Sequence, residues 1–310
     1  MQKLMEHFGD RLKQNKDLSP YFTLKTKTTA QYYLEAESKE DIVDALRIAS
    51  EEQIPVFILG GGSNIAVVSD VIEGLVLRNM YKKKEIVKDT EEYTDILFSS
   101  GYPMSLVVRE TVQAGLSGFE YHLGLPGTLG GAIYMNSKWT KNLSYAGDSL
   151  ISAQIVDREG NERTVNRDYF AFAYDYSILQ KTGELFLEGI FRLHKEDPSV
   201  LEERAQGAQA YRKETQPYGV ATGGCFFQNI SDEEKERLNL PTKSAGYLVD
   251  KSGLKGFQIG GFQVSTKHAN FIINTGDGKP EDLHKMLNHI KSTVKEKYGV
   301  DLKEEVIIKQ

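Results

Sequence analysis

Two glycine-rich segments, which lie far apart along the chain, constrain this sequence most. The first follows the apolar run IPVFIL, which is typical of a buried strand, and consists of Gly60, Gly61, Gly62, Ser63 and Asn64. Glycine permits positive φ and close backbone approach, so successive N–H groups can bind phosphate oxygens. The pattern matches neither the dinucleotide fingerprint nor the lysine-bearing phosphate loop, and a plain tight turn is the alternative.

The second glycine-rich segment is longer and extends the same pattern. It is GLPGTLGGAIYMN and contains Gly124, Pro126, Gly127, Thr128, Gly130 and Gly131. The apolar run that follows, ending at Met135 and Asn136, is predicted to be a strand. Two separated loops of this kind can hold one diphosphate from two sides. Together they indicate a large cofactor with a pyrophosphate group.

The remaining patterns predict a chain of mixed strands and helices, of α+β class. A helix is predicted after Ser38, with Ile42, Ala45, Leu46 and Ala49 on one face. Another runs from Pro280 to the glycine stop at Gly299. The glycine-rich region from Ser244 to Asn274 is predicted to form strands. The charged stretch His194 to Pro217 is predicted as a linker, a helix and the domain boundary.

Length, charge and cysteine content exclude several classes of protein. A chain of 310 residues favours two domains. The net charge of −6, with both signs mixed along the chain, gives no basic face for nucleic acid. No apolar run is long enough to span a membrane, and no obligatory protein partner is evident. One cysteine excludes an internal disulfide and cysteine-based zinc sites, and favours the cytoplasm.

That single cysteine, Cys225, lies in the stretch TGGCFFQN. An isolated cysteine is by default a small buried apolar residue. A position behind two glycines is also compatible with chemistry at the thiol. The residues alone leave both interpretations open.

Several motifs, in order and spacing, resemble a known enzyme family. They are FILGGGSN, GLSGFEYHLGLPGTLGGAIYMN, SAGYLVDKSGLKG, GGFQVSTKHANFIINTG and YGVDLKEEV. Their sequence and order resemble those of the UDP-N-acetylenolpyruvoylglucosamine reductases, which are FAD enzymes of bacterial peptidoglycan synthesis. The resemblance covers the chain from about residue 25 to its end.

The resemblance implies a fold and a reaction. The fold is an FAD-binding module of the vanillyl-alcohol-oxidase (PCMH) type in two α+β subdomains, expected at 1–195, followed by a substrate-binding domain at 196–310. NADPH reduces FAD in such enzymes, and hydride then passes to the enolpyruvyl double bond of a nucleotide sugar. Residues Gly60 to Asn64 and Gly124 to Gly131 are expected to hold FAD.

The same resemblance assigns roles to single residues. Hydride addition leaves an enolate-like charge that needs stabilisation and a proton. Cys225 occupies the position of the family's proton-donating serine, and an ordinary thiol, with a pKa near ~8.5, is the more acidic donor. Glu305, rather than Glu304, corresponds to the stabilising acid. Adjacent residues of a strand point to opposite faces, so only one of the two is expected in the site.

Substrate contacts are expected at four positions. Arg212 and Lys213 stand where the family carries a basic residue for the diphosphate, and the sequence does not choose between them. Asn229 and Tyr174 match two further substrate-contact positions.

The motif around Tyr174 departs from the family pattern. It reads YDYS, so Asp175 stands where a catalytic arginine is expected. Three explanations remain open: another cation acts instead, with Arg167, Arg109 or Lys181 as candidates; the aspartate turns outward; or the substrate differs. The alternative functions are therefore an FAD oxidoreductase with another substrate, or a non-catalytic flavoprotein.

Overall fold

The computed structural model describes all 310 residues. Four short 3₁₀ segments accompany the α-helices, at Gly9–Arg11, Ser19–Tyr21, Glu120–His122 and Arg167–Phe170. None of the helices has the length and apolar composition needed to cross a membrane. The α-helices are α1 (Gln2–Phe8), α2 (Lys39–Glu51), α3 (Met104–Gln113), α4 (Leu129–Met135), α5 (Leu179–Thr182), α6 (Pro198–Thr215), α7 (Asp232–Arg237), α8 (Ala245–Lys251) and α9 (Pro280–Tyr298).

The strands are short and distributed along the whole chain. They are β1 (Lys13–Asp17), β2 (Thr29–Ala36), β3 (Val56–Leu59), β4 (Ile65–Val67), β5 (Val71–Asn79), β6 (Lys84–Asp89), β7 (Tyr93–Ser99), β8 (Leu116–Ser117), β9 (Lys138–Trp139), β10 (Ser144–Tyr145), β11 (Leu150–Val156), β12 (Glu162–Asn166), β13 (Leu185–Lys195), β14 (Ala221–Cys225), β15 (Gln258–Ile259), β16 (Phe262–Val264), β17 (Phe271–Asn274) and β18 (Ile307–Lys309).

These strands form five sheets. One has the order β1-β2-β5-β3, and a six-stranded sheet has the order β12-β11-β13-β7-β6, with β8 beside β13. A third has the order β14-β17-β16-β15, and β10-β9 and β18-β4 are two-stranded. The pairs β3-β5 and β18-β4 are parallel, whereas β11, β13 and β7 pair antiparallel. The structure therefore combines helices with sheets that are parallel in some places and antiparallel in others, as expected for the α+β class.

The chain forms two compact units and passes between them repeatedly. The first unit contains residues 1–14, 31–61 and 73–212, and the second contains 15–30, 62–72 and 213–310. Helix α6 packs with the first unit through Leu201 and Ala205. The last of the divisions between the units falls after residue 212, within α6. The functional assignment of 1–195 to FAD and 196–310 to substrate stays a prediction.

Each unit has its own apolar core. In the first unit, side chains of the six-stranded sheet such as Phe98 and Phe191 pack against α3 and α4. A second cluster in this unit packs α2 against β2 and β5. In the second unit, α8 and α9 enclose Phe226, Phe227 and Phe262.

Two predicted helices are confirmed. Helix α2 begins after Ser38, whose Oγ accepts a hydrogen bond from the Asp41 amide at 3.1 Å. The predicted apolar face of α2 is buried. Helix α9 begins at Pro280 and ends before Gly299, which adopts φ 65°. Local capping signals and apolar spacing sufficed at both places.

One predicted strand is wrong, and the predicted strand region Ser244–Asn274 is confirmed only for β15, β16 and β17. Leu129–Met135 is the helix α4, capped by Thr128, whose Oγ1 accepts from the Gly131 amide. Within the predicted strand region Ser244–Asn274, residues Ala245–Lys251 form α8, capped by Ser244 in the same way. A short apolar run has no periodicity that separates helix from strand, and in both cases the hydroxyl cap was the overlooked signal.

Gly60 and Gly61, the part of the first glycine turn that lies in the first unit, meet the second glycine turn. A Cβ on Gly61 would lie 2.4 Å from the Cα of Gly127, and a Cβ on Gly60 would lie 2.8 Å from Thr128 Oγ1. A Cβ on Gly130 would lie 2.8 Å from Ser100 Cβ. Only residues without side chains permit this approach. The backbones of both turns are therefore fixed against each other before any ligand binds.

Gly61→Ala is expected to lower the free energy of unfolding by about 1–3 kcal/mol, because the new methyl group overlaps the Gly127 backbone. The affinity for FAD should fall as well, because the same change displaces the backbone that is proposed to bind FAD. The matched control is Gly207→Ala in α6, where the added Cβ would meet no atom within 4 Å. That change should stabilise by about 0.5–1 kcal/mol through helix propensity. Denaturant unfolding and FAD titration compare the two; equal stability of both variants would contradict the backbone contact.

Candidate flavin and substrate site

The first glycine turn is divided between the units. Gly60 and Gly61 belong to the first unit, and Gly62, Ser63 and Asn64 to the second. Gly62 has φ 64°, and a Cβ there would lie 2.1 Å from the carbonyl oxygen of Tyr21. The Gly62 carbonyl accepts from the Thr23 amide at 3.0 Å. The turn therefore requires glycine for conformation and for space.

The second glycine turn lies wholly in the first unit. Gly127 has φ 105°, and its carbonyl accepts from the Met104 amide at 3.0 Å. Gly124 has φ 87° and, like Pro126, is exposed.

The exposed backbone of these turns fits a flavin dinucleotide. Gly61 and Gly131 are both exposed, so their Cα atoms present bare backbone to solvent. A diphosphate group can approach bare backbone of this kind closely, because glycine has no side chain.

The loop that carries Tyr174 and Asp175 is tied to the end of α4. Asn136, which ends α4 with φ 45°, donates from Nδ2 to the Ala173 carbonyl at 3.0 Å. Ser177 Oγ donates to the Tyr134 carbonyl at 2.7 Å. Gln180 Nε2 donates to the Asp175 carbonyl at 2.9 Å. Since α4 starts at the second glycine turn, this loop has a fixed position relative to the predicted FAD-binding backbone.

Asp175 points inward and forms an ion pair. Its side chain is 4% exposed, and Oδ1 lies 2.5 Å from the Nζ of Lys138. The same ammonium lies 3.7 Å from the ring centroid of Tyr174, which is 40% exposed. Asp175 adopts φ 50°, a conformation that aspartate tolerates better than most residues. The explanation in which Asp175 turns outward is therefore wrong.

None of the three cations suggested by the sequence pairs with Asp175. Arg167 donates from Nε to the Gly147 carbonyl at 3.0 Å and lies 3.6 Å from Asp148. Arg109 and Lys181 are exposed on α3 and α5. Nothing local in the sequence identified Lys138, which meets Asp175 only through the fold.

The two candidate diphosphate cations differ in their surroundings. Arg212 is half-buried in the first unit, with its guanidinium 4.9 Å from the ring centroid of Trp139. Its Cδ lies 3.3 Å from the place where a Cβ on Gly124 would be. Lys213 is exposed in the second unit, near the ring of Tyr218. Of the two, Arg212 contacts the second glycine turn.

A neutral histidine lies close to Arg212. His122 is fully buried, and burial, with the charge of Arg212 as the second cause, lowers its pKa to about 3. The ring is therefore uncharged at neutral pH. It adds no positive charge to the surroundings of Arg212.

Cys225 and the phenylalanines that follow it have different surroundings. Phe226 and Phe227 are buried in the core of the second unit, whereas Cys225 is only partly buried. Strand β14 carries an irregularity between Thr222 and Cys225 in its pairing with β17, and Gly224 has φ 86°. A bulge of this kind turns a side chain away from the regular alternation. The space-filling role belongs to the phenylalanines.

Backbone hydrogen bonds bring three predicted positions together in the second unit. The Glu305 amide donates to the Phe226 carbonyl at 2.8 Å, next to Cys225. Asn64 Nδ2 donates to the Glu305 carbonyl at 3.2 Å, and the Ile307 amide donates to the Asn64 carbonyl at 2.9 Å. The end of the first glycine turn, the cysteine segment and the C-terminal segment therefore form one network.

Of the adjacent carboxylates Glu304 and Glu305, Glu304 forms an ion pair with a lysine of helix α9. Its Oε1 lies 2.7 Å from Lys291 Nζ, and its backbone forms an isolated antiparallel β-bridge with Phe227. The charge of Glu304 is thus paired on the α9 side. Asn229 is exposed, and its Oδ1 accepts a hydrogen bond from the Ala245 amide at 3.2 Å.

Two family models match the chain. One, described as the C-terminal domain of UDP-N-acetylenolpyruvoylglucosamine reductase, matches residues 216–309. The other, an FAD binding domain, matches residues 30–166.

Relatives match over nearly the full length. The UDP-N-acetylenolpyruvoylglucosamine reductase of Bacillus subtilis is 31% identical over 309 residues, which covers 99% of this chain and 97% of that protein. The reductase of the same name from Chlamydia trachomatis serovar L2 is 34% identical over 305 residues, which covers 98% of each.

Solved structures agree with the fold. A UDP-N-acetylenolpyruvylglucosamine reductase from Thermus caldophilus superposes with TM-score 0.76 at 25% identity, over 96% of this chain and 98% of that one. p-Cresol methylhydroxylase superposes with TM-score 0.55 at 12% identity, over 99% and 88%, which is a likeness of fold alone. The predicted α+β fold with an FAD-binding module of the vanillyl-alcohol-oxidase (PCMH) type is confirmed.

Proposed function

Because the chain belongs to the family of UDP-N-acetylenolpyruvoylglucosamine reductases, we propose that it reduces UDP-N-acetylglucosamine enolpyruvate to UDP-N-acetylmuramate, with FAD as cofactor and NADPH as hydride donor. The observation that carries this proposal is the network in the second unit. It holds the segments of Cys225 and Glu305 together with Asn64 of the first glycine turn. A proton donor, a stabilising acid and a cofactor-binding turn are what the reaction needs.

The glycine turns would hold FAD. In the first unit these are Gly60 and Gly61 with the segment Gly124 to Gly131, and in the second unit Gly62 to Asn64. When bound, FAD supplies to the substrate the hydride that NADPH has provided. Fixed backbone turns bind it without reorganisation, which is an advantage for affinity.

The chain's own residues would manage the charge and the proton. A hydride that arrives at the terminal carbon of the enolpyruvyl double bond leaves negative charge on the neighbouring carbon and its carboxylate. Glu305 would stabilise this enolate-like charge as an acid, and the Cys225 thiol would give its proton to the neighbouring carbon. The thiolate then recovers a proton from water, so that one hydride and one proton are added in each turnover.

Three further residues would bind the nucleotide sugar. Tyr174 is 40% exposed and Asn229 is exposed, so both side chains are accessible to a ligand. Arg212 is the proposed diphosphate cation, because it lies against the second glycine turn while Lys213 lies exposed elsewhere. The single cysteine suits the reducing conditions of the cytoplasm, where we place the reaction.

The proposed function is tested under anaerobic conditions. The flavin of the purified protein is reduced with one equivalent of NADPH, and UDP-N-acetylglucosamine enolpyruvate is added. Oxidised-flavin absorbance should return promptly, with UDP-N-acetylmuramate formed. A flavin that stays reduced although the nucleotide sugar binds would indicate another substrate, or a flavoprotein without turnover.

Cys225→Ala is expected to slow flavin reoxidation by the substrate by about 10²–10⁴-fold, because the general acid is lost. Cys225→Ser should retain a rate within about tenfold of the unaltered enzyme, since a hydroxyl can take the same place. Rapid-mixing absorbance measures both. Flavin reduction by NADPH is the internal control and should not change. An alanine variant as fast as the serine variant would remove Cys225 from the reaction.

Glu305→Gln should lower the reoxidation rate by about 10²–10³-fold, because it removes the stabilising acid. Glu304→Gln is the matched control, one residue away. It removes only the partly exposed pair with Lys291 and should cost less than about 1 kcal/mol of stability, with little change in rate. If the two variants lose activity equally, the distinction between the carboxylates is wrong.

A further inference from the structure

We propose that Lys138 supplies the positive charge that the family's arginine supplies from position 175, and that Asp175 acts as a positioning residue which holds Lys138 in place. This inference rests on the proposed function, since it concerns the carboxylate of the enolpyruvyl group. It identifies a cation that neither the sequence pattern nor the comparisons assign.

The burial of the pair is the first argument. The Lys138 side chain is 12% exposed and that of Asp175 is 4% exposed, and the two groups lie 2.5 Å apart. A buried carboxylate without a partner would be strongly disfavoured, so the pair must form as a unit. The negative charge of Asp175 is thereby compensated, and it does not act on a substrate anion as an isolated charge.

The position of the ammonium is the second argument. Lys138 Nζ lies 3.7 Å from the ring centroid of Tyr174, the predicted substrate-contact residue. The ring is 40% exposed, so the ammonium lies directly beside a side chain that reaches solvent. An anion that binds at this ring within hydrogen-bond reach of the ammonium would be attracted by it, because the attraction between opposite charges increases as their distance falls.

The second carboxylate oxygen is the third argument. Asp175 Oδ2 is buried and receives no hydrogen bond from the protein. A buried acceptor of this kind is normally satisfied. The pair of Lys138 and Asp175 thus has one acceptor that the protein itself does not satisfy, which is unusual for a purely structural ion pair.

The backbone on both sides of the pair is fixed. Lys138 begins strand β9, which pairs with Ser144–Tyr145, and Asn136 two residues earlier binds the carbonyl of Ala173. Gln180 holds the carbonyl of Asp175 itself. Both partners are thus attached to α4, which starts at the second glycine turn. A charge held in this way costs little reorganisation when the substrate binds.

The first experiment measures binding to the oxidised, FAD-loaded enzyme by calorimetry, with two ligands that differ in the carboxylate. These are UDP-N-acetylmuramate and UDP-N-acetylglucosamine. Lys138→Met should weaken binding of the first by about 10–100-fold, as expected for a lost hydrogen bond to a charged group. Binding of the second should stay within about twofold. Lys138→Arg, which keeps the positive charge, should bind UDP-N-acetylmuramate about as tightly as the unaltered enzyme does. Equal weakening of both ligands, or of neither, would overturn the proposal.

The second experiment measures the two flavin half-reactions. Lys138→Met should leave reduction by NADPH unchanged and slow reoxidation by the enolpyruvyl sugar by about 10²–10³-fold. The exchanged variant Asp175→Arg with Lys138→Glu keeps opposite charges and returns the cation to position 175. It should reoxidise within about tenfold of the unaltered enzyme. An exchanged variant that binds FAD and the sugar but does not reoxidise would overturn the proposal.

The two experiments separate this proposal from the proposed function. If the unaltered enzyme does not reoxidise with the enolpyruvyl sugar, the proposed function fails. The role of Lys138 is then decided by carboxylate-dependent binding alone. If the single variant Lys138→Met does not fold, the exchanged variant decides, because it preserves the buried pair.

Discussion

The contact between two glycine backbones, at Gly61 and Gly127, is the constraint from which the first unit of this FAD-dependent oxidoreductase is organised. No side chain fits between these turns, so their peptide groups lie at one surface in a fixed arrangement. Helix α4 starts beside this contact and ends at Asn136, which holds the loop of Tyr174 and Asp175. One steric condition thus fixes the backbone that we propose binds FAD and the loop that we propose contacts the substrate relative to each other.

In the second unit, residues that are adjacent in sequence have different surroundings. The irregularity in β14 leaves Cys225 partly buried while Phe226 enters the core. At the other end of the chain, Lys291 pairs with Glu304 and the backbone of Glu305 binds that of Phe226. In both pairs, one residue contributes to the stability of the unit, and its neighbour is the residue that we propose takes part in the reaction. Adjacent side chains of an extended segment point to opposite sides, and an irregularity in a strand redirects one of them, so no further helix or strand is needed to separate the two surroundings.

The example of Asp175 shows that the net charge of a site depends on all the charged groups that the fold brings together, and not on the residue at a single sequence position. An aspartate in place of an arginine reverses the charge in the sequence. The buried pair with Lys138 removes that reversal in the structure, because the compensating ammonium lies within hydrogen-bond distance. Electrostatic free energy depends on the distances between charges and on their burial, and not on the order in which they occur along the chain. A family motif read as letters therefore overstates the divergence of this site.

The sequence by itself determined the features that depend on neighbours along the chain: the two glycine turns, the capped helix after Ser38, the last helix and the fold class. It misassigned Leu129–Met135, because a seven-residue apolar run carries no usable period. Only the tertiary structure decided that Lys138 meets Asp175, that Arg212 lies against the second glycine turn, and that Glu304 pairs with Lys291. Capping and turn formation are local and leave local signals, whereas contacts between distant side chains are set by packing.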